Sequence, residues 1–269
     1  MKTPINLTLL KIQLHSLKKS MLYIALGLVL FELMMHWFIS ASEMAKMFSQ
    51  FMQVAPPAMK NLLGNDTLGF YTPLGMLAIA YSHPGIFFIF LIFPSTFFSR
   101  EIAAARERGI LALLLSRPVS RNAYLFNLTI LLIAGLIYLG LMTAGGVKLA
   151  FILYGIDQPF TPFFHVIINL VFLMLFLGSA AMLISILVNS SSSATGWMVG
   201  VPLILYLLEY ISRTVKPLAF TGTVNPFHYY QPQTTLSNGF CSTSDCLILA
   251  AGTLCLITAS FIAFRHKDI

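Results

Sequence analysis

FFSREIAAARERGILALLLSRPVSR, residues Phe97 to Arg121, is the stretch that decides how this chain folds. It concentrates charge in a sequence that is 58% hydrophobic and only 9% charged. Each charged side chain at the centre of a bilayer costs about 2.5–3.5 kcal/mol on insertion scales, so the charges from Arg100 to Arg108 would together cost more than ~10 kcal/mol. The stretch must therefore lie in water or at the membrane surface, and the apolar runs on either side of it must cross the membrane.

The residues between those charges predict a helix that ends at a glycine. Ala103, Ala104 and Ala105 are strong helix formers, and Gly109 allows a break or a cap. Residues 110–115 then form an apolar patch that can rest on lipid or on neighbouring helix ends. Pro118 ends the segment, because proline lacks an N–H group and disfavours helix at the residue before it.

The composition predicts a membrane protein built from helices. The 269 residues have a mean hydropathy of +0.84. The apolar runs are about 20 residues long, as a membrane helix requires, and they lack the alternating pattern of barrel strands. We therefore predict one all-α domain over residues 1–269 with six transmembrane helices, at about residues 20–40, 76–98, 122–146, 162–188, 196–210 and 246–264.

The distribution of basic residues predicts the orientation of these helices. The formal net charge is +7, and the lysines and arginines cluster at both ends of the chain and in the stretch 97–121. Because cytoplasmic segments are enriched in Lys and Arg, we expect both termini and this stretch to be cytoplasmic. Residues 41–78 and 211–245 are then external, and Lys148 and Asp157 lie in or beside a short external loop. The excess charge belongs with phospholipid headgroups, and no basic domain suggests binding to nucleic acid.

Two segments beside the predicted spans have their own patterns. In residues 1–19, Thr3 can cap a helix that begins at Pro4, and the leucine spacing favours a helix lying in the membrane surface. A plain basic flank to the first span is the alternative. NSSSSAT, residues 189–195, predicts an uncharged polar turn between the fourth and fifth spans.

Four residues inside the predicted spans are candidates for the transport pathway or for a subunit interface. Glu32 and His36 are four residues apart, so they share one helix face. Burial of such a pair in a membrane must be offset by a partner or by a water-filled path, so the pair either serves function or satisfies itself at a subunit contact. Gly196 and Gly200 have the G-x-x-x-G spacing, which permits a tight helix crossing.

Cys241 and Cys246 flank a short turn in the region predicted to be external. In an oxidising compartment they can form a local disulfide, or they can remain two free thiols. Their spacing alone does not establish the geometry of a pair.

ARERGILALLLSRPVSR, residues 105–121, resembles the cytoplasmic loop of ABC-2-type permeases, the membrane subunits of ABC transporters. In that family the loop is a coupling helix that seats in a cleft of a separate ATPase subunit. NPFHYYQP, residues 225–232, is similar to the family's segment between the fifth and sixth spans. The family commonly has threonine after the glycine, whereas this chain has Ile110.

The resemblance implies which residues couple the chain to an ATPase. Glu101 and Glu107 take the family's acidic positions, and Gly109 takes the position of its glycine. The full set that it assigns to coupling is Arg100, Glu101, Arg106, Glu107, Arg108, Gly109, Pro118, Ser120 and Arg121.

The chain has no motif for chemistry of its own. It lacks the G-x-x-x-x-G-K-[ST] phosphate loop, the G-x-S-x-G motif and the H-E-x-x-H pair. We therefore expect no enzyme activity, metal or cofactor in this chain, with ATP and Mg²⁺ bound by a partner subunit.

The sequence and the resemblance together predict a permease that exports an unidentified substrate through the bacterial cytoplasmic membrane. Its expected partners are an ABC ATPase subunit, membrane lipid and a second permease subunit, in a homodimer or a heterodimer. The alternatives are an intramembrane enzyme and a stand-alone ion-coupled transporter, either of which would use Glu32 and His36.

Overall fold

The computed structural model describes residues 7–40, 47, 50–51, 54, 56, 73–116, 119–215 and 219–267. Within these residues the chain forms helices and no strand. Thr3, Pro4 and Pro118 lie outside the described residues, as does most of the first predicted external segment.

The helices follow one another with short connections. They are α1 (Leu7–Ser40), α2 (Pro73–Ser82), α3 (Pro84–Phe98), a π-helix (Ser99–Ala104), α4 (Ala105–Glu107), α5 (Ile110–Leu115), α6 (Arg121–Tyr154), α7 (Phe160–Leu187), α8 (Ser191–Thr214), α9 (Ala219–Gly222), a 3₁₀ helix (Pro226–Tyr229), α10 (Pro232–Asn238) and α11 (Thr243–His266).

Six helical stretches of the described residues are long and apolar enough to cross a bilayer. They are Leu7–Ser40, Leu77–Glu107, Arg121–Tyr154, Phe160–Leu187, Ser191–Ser212 and Thr243–His266. The second stretch contains most of α2, all of α3, the π-helix and α4. The prediction of an all-α protein with six membrane-spanning helices is confirmed.

Both ends of the described chain meet the charged stretch at one end of the helix bundle. Gln13 Nε2 in α1 donates to Glu101 Oε2 at 3.4 Å, and Arg121 Nη1 donates to the carbonyl oxygen of Lys267 at 2.9 Å. We call this end the basic end of the bundle, and we call residues 99–120 the charged loop.

The bundle core depends on close packing between α1 and α6. A Cβ atom on Gly146 would lie 3.1 Å from the Cα atom of Val29 and 3.3 Å from the Cβ atom of Glu32. Such small residues allow helix backbones to approach in a membrane, where packing rather than the hydrophobic effect holds helices together.

Three sequence predictions about helix boundaries are wrong. Residues 7–19 do not form a separate surface helix, because α1 runs unbroken from Leu7 to Ser40. The turn predicted at residues 189–195 is shorter, because Ser190 accepts a hydrogen bond from the Ser193 N–H group and caps α8 from Ser191 onward. Lys148 does not lie in or beside a loop, because α6 continues to Tyr154.

Candidate functional site

The backbone of the charged loop departs from regular α-helix at two places. Helix α3 passes into a π-helix at Ser99–Ala104, a form that is rare and frequent at functional sites. After α4, Gly109 adopts a φ angle of 69°, the left-handed region that favours glycine. Helix α5 then begins at Ile110 with no side-chain cap. The predicted order of helix, glycine break and apolar segment is thus present.

Arg106 of the loop binds the carboxyl end of α7. Its Nη1 atom donates to the carbonyl oxygen of Ile186 at 2.8 Å, and its Nη2 atom donates to the carbonyl oxygen of Val188. The last carbonyl groups of a helix have no partner within the helix and carry partial negative charge, so a guanidinium satisfies both needs.

Glu107 binds the amino end of the next helix, α8. Its Oε2 atom accepts hydrogen bonds from the backbone N–H of Ser191 at 3.1 Å and from the Ser191 hydroxyl at 2.8 Å. Glu107 is exposed at the basic end. The bonds from Ser191 favour the ionised form of its carboxyl group.

Arg121 and Lys267 connect the carboxyl end of α11 to α6 and α7. Arg121 Nη1 donates to the carbonyl oxygens of Phe264, Arg265 and Lys267 at 3.2, 3.0 and 2.9 Å, at the carboxyl end of α11. Lys267 Nζ donates in turn to the carbonyl oxygen of Leu187 at 3.0 Å.

Ser120 has a structural role at the start of α6. Its Oγ atom accepts a hydrogen bond from the Ala123 N–H group at 3.1 Å, which makes it the N-cap residue of that helix.

Arg100 and Glu101 join the loop to α1. Arg100 Nε donates to Glu101 Oε1 at 2.9 Å, and its Nη2 atom donates to Ser16 Oγ at 3.0 Å. Gln13 reaches the other carboxylate oxygen of Glu101, and the Tyr124 hydroxyl donates to the Glu101 carbonyl oxygen at 2.6 Å.

Two apolar side chains of α5 face away from the protein. Ile110 is 48% exposed and Leu113 is 72% exposed, whereas Leu111 between them is fully buried. Arg108 and Gly109 precede them and are exposed as well. Helix α5 therefore anchors itself with Leu111 and presents Ile110 and Leu113 outward.

A comparison with known protein families covers almost the whole chain. Residues 7–269 match the family model described as ABC-2 family transporter protein. The chain belongs to the ABC-2 transporter family. A search of the curated proteins gave no match. Because members of this family are membrane components of transporters, this ABC-2 chain is a multi-pass membrane protein of a transport system.

Among the described residues, the structure brings the predicted coupling positions of this ABC-2 chain together and bonds several of their side chains to other parts of the chain. The side chains of Glu101, Arg106, Glu107 and Arg121 all bind other parts of the same chain. The sequence analysis identified these positions but missed their helix-end partners. The available signals were the serine run before α8 and the basic residues that close α11.

Glu32 and His36 of this ABC-2 chain lie inside the protein. Both side chains are 0% exposed, and His36 Nδ1 is 3.5 Å from Glu32 Oε2. The same Nδ1 atom lies 2.8 Å from the Glu32 carbonyl oxygen, to which it donates. Both Glu32 carboxyl oxygens and the Tyr81 hydroxyl are buried with no hydrogen-bond partner among the described residues. In this conformation the pair lines no exposed surface.

The remaining predicted positions of this ABC-2 chain are two glycines of α8 and two cysteines near the start of α11. A Cβ atom on Gly196 or Gly200 would meet nothing within 4 Å, so neither glycine mediates a helix crossing among the described residues. Cys241 and Cys246 are free thiols whose Sγ atoms are 3.8 Å apart.

Proposed function

We propose that this ABC-2 protein is the permease subunit of an ABC exporter in a bacterial cytoplasmic membrane. A separate ATPase subunit drives the export of the substrate, and a second permease subunit completes the pathway. The observation that carries this proposal is the charged loop, whose polar side chains hold the ends of membrane helices while Ile110 and Leu113 face outward.

A partner that moved α5 would move the membrane helices with it. Arg106 connects the loop to the carboxyl end of α7, and Glu107, the next residue, connects it to the amino end of α8. A displacement of the loop is therefore transmitted to two consecutive helices at the point where the chain passes between them.

The contact with the ATPase subunit is then mainly apolar. The loop's glutamates are engaged within the chain, and exposed ion pairs contribute only about 0–1 kcal/mol. Ile110 and Leu113 offer apolar area that a cleft can bury at about 25 cal/mol per Å². Arg108 lies beside them and can add charge complementarity at the edge of the contact.

The second permease subunit has three candidate faces. In the most apolar part of α1, about a third of the residues are buried within the chain, and in α8 and α11 the share is 22%. In the other three spans, half or more of the corresponding residues are buried. Helix α8 also carries Gly196 and Gly200, each with open space beside it. These faces contact lipid or a second subunit, and a glycine pair suits the close approach of another helix.

The proposal is tested by comparing two exposed leucines at the basic end. Leu113 lies on α5, whereas Leu187, which is 56% exposed, ends α7. We expect Leu113→Ala to reduce the ATP hydrolysis of a co-purified P-loop ATPase in the reconstituted complex by about tenfold, and Leu187→Ala to leave it unchanged. Equal rates in the two variants, or the absence of any co-purifying ATPase, would contradict the proposal.

The orientation is tested with single cysteines in a protein that lacks the native ones. Leu113→Cys lies at the basic end and Asp157→Cys in the connection after α6, at the opposite end of the bundle. We expect a membrane-impermeant maleimide to label Asp157→Cys in intact cells and to label Leu113→Cys only after the membrane is opened. The reverse pattern would place the charged loop outside and remove it from any cytoplasmic ATPase.

A further inference from the structure

A cavity of about 460 Å³ opens between α1, α3 and α6, toward the basic end of the bundle. Its floor consists of Leu17, Met21, Phe93 and Leu131, each at most 9% exposed. The volume lies within the usual range for small-ligand sites, which are mostly apolar with a few placed polar groups. The site is thus large and apolar enough for a ligand with a hydrocarbon part.

The mouth of the cavity opens on the apolar outer surface of the bundle. Leu14, Leu22 and Tyr138 line it and are 49%, 51% and 37% exposed. They lie on the outward faces of α1 and α6, two helices long enough to cross the bilayer. A lipid that lies beside this face of the bundle can enter through the mouth.

Lys18 gives the cavity its charge. It is the charged residue of the lining, and it is exposed at the level where the basic segment of α1 meets its apolar span. No carboxylate of the described residues forms an ion pair with it. Lys11 and His15 are exposed on the same helix, one to two turns before Lys18, so the chain is basic on that side of the cavity.

The apolar cavity and the lysine at its edge together indicate the chemistry of the ligand. An ammonium group at the headgroup level attracts phosphate, and each lysine near an anionic membrane surface strengthens binding about fivefold. We propose that the cavity binds one phospholipid with an anionic headgroup, with an acyl chain against Leu17, Met21 and Phe93 and the headgroup phosphate at Lys18. The site is independent of any ATPase and goes beyond the proposed function.

Native mass spectrometry of the purified, delipidated chain in detergent tests this proposal. The probes are phosphatidylglycerol and phosphatidylcholine with identical acyl chains, since only the first carries a net negative charge. We expect the wild type to bind one phosphatidylglycerol about fivefold or more tightly than phosphatidylcholine. Equal affinity for the two lipids would overturn the assignment of the headgroup to a basic site.

Lys19 provides a matched control, because it is an exposed lysine of α1 outside the cavity lining. Lys18→Gln should lose the preference for phosphatidylglycerol, Lys18→Arg should keep it, and Lys19→Gln should change it less than twofold. An equal loss in Lys18→Gln and Lys19→Gln would show a diffuse surface attraction and overturn the site.

A second variant tests the acyl chain. Ala134 lines the cavity and is exposed at its mouth, so Ala134→Phe can fill the space without disturbing the buried floor. We expect this variant to lose the bound lipid of both types while its melting temperature changes little. Retained binding of both lipids would overturn the proposal, as would a protein dimer that Ala134→Phe dissociates, because the occupant would then be a second copy of the chain.

Discussion

The basic end of the bundle and the Glu32 region differ in the hydrogen-bond partners that they offer to ionisable side chains. At the basic end, Arg106 and Glu107 bind backbone groups at the ends of α7 and α8. Around Glu32 the helix backbones are already hydrogen-bonded, and His36 is the one ionisable side chain that forms a pair with it among the described residues. Helix ends supply free carbonyl and N–H groups, and helix middles do not.

This difference indicates what each region can do. Hydrogen bonds at helix ends can link a moving surface to several helices without a tightly packed interior. The Glu32 region is held by shape, since Gly146 brings α6 against the backbone of α1. We therefore expect the free energy of unfolding to depend mainly on side-chain volume in the interior and mainly on hydrogen bonding at the basic end.

The largest effect is expected from Gly146→Val. The added Cβ atom would lie 3.1 Å from the Cα atom of Val29, and its methyl groups closer still, so α1 and α6 must separate. Overpacking of this kind costs about 3 kcal/mol, measured as the free energy of unfolding in detergent. Gly145→Val is the control, because a Cβ atom there meets nothing within 4 Å. Equal losses in both variants would show that the close approach of Gly146 to Val29 does not set the cost.

A smaller loss is expected from Arg106→Gln at the basic end. It removes the donors to the carbonyl oxygens of Ile186 and Val188, and hydrogen bonds to charged groups contribute about 1.5–3 kcal/mol. We expect a decrease of about 2 kcal/mol in the free energy of unfolding. Arg108→Gln removes the same charge from an exposed side chain two residues away and should change it by less than about 0.5 kcal/mol. A neutral Arg106→Gln would mean that the helix-end bonds contribute nothing.

Gly109→Val should cost about 1–2 kcal/mol for a conformational reason. At a φ angle of 69° an L-residue is strained, and a Cβ atom there touches nothing within 4 Å, so no clash contributes. Asparagine tolerates this region of backbone space better than other residues, so Gly109→Asn should lose less than half as much. The free energy of unfolding of the two variants, measured side by side, decides the matter. If asparagine and valine are equally harmful, backbone strain is not the cause.

The smallest effect is expected from Glu32→Gln. The amide keeps the shape of the side chain, and both carboxyl oxygens of Glu32 are without a donor among the described residues. We expect the free energy of unfolding to change by less than about 1 kcal/mol, whereas Glu32→Ala, which leaves a cavity, should lose about 2 kcal/mol or more. A loss of several kcal/mol in Glu32→Gln would show that an ion pair with His36 stabilises the region.

Local patterns predicted local features of the fold well. The apolar runs marked six membrane helices, and Gly109 marked the break in the charged loop. Boundaries were less predictable where polar residues continue a helix. Serines 191–193 read as a turn, yet Ser190 caps a helix that contains them. Serine suits both a turn and a helix start, so the pattern alone did not decide between them.

The candidate site was predictable in position but not in its contacts. A carbonyl group at a helix end is the same chemical group whatever residue carries it. No sequence pattern therefore predicts that Arg106 binds the carbonyl oxygens of Ile186 and Val188, which lie some 80 positions away. The likeness to ABC-2 permeases suggested that charged residues and Gly109 couple the chain to an ATPase. The structure leaves Ile110 and Leu113 exposed beside Arg108.

The sequence by itself determined six helices that are long and apolar enough to cross a membrane. It also predicts that the stretch from Arg100 to Arg121 stays outside the hydrocarbon, because burial of charge in lipid is costly whatever the packing. It also placed Glu32 and His36 on one helix face, since four residues make about one turn. Only the tertiary structure decided that this face is buried against α6 and which helix ends the loop charges bind. These outcomes depend on how helices distant in sequence approach one another, and that approach is set by shape and by backbone groups that every sequence shares.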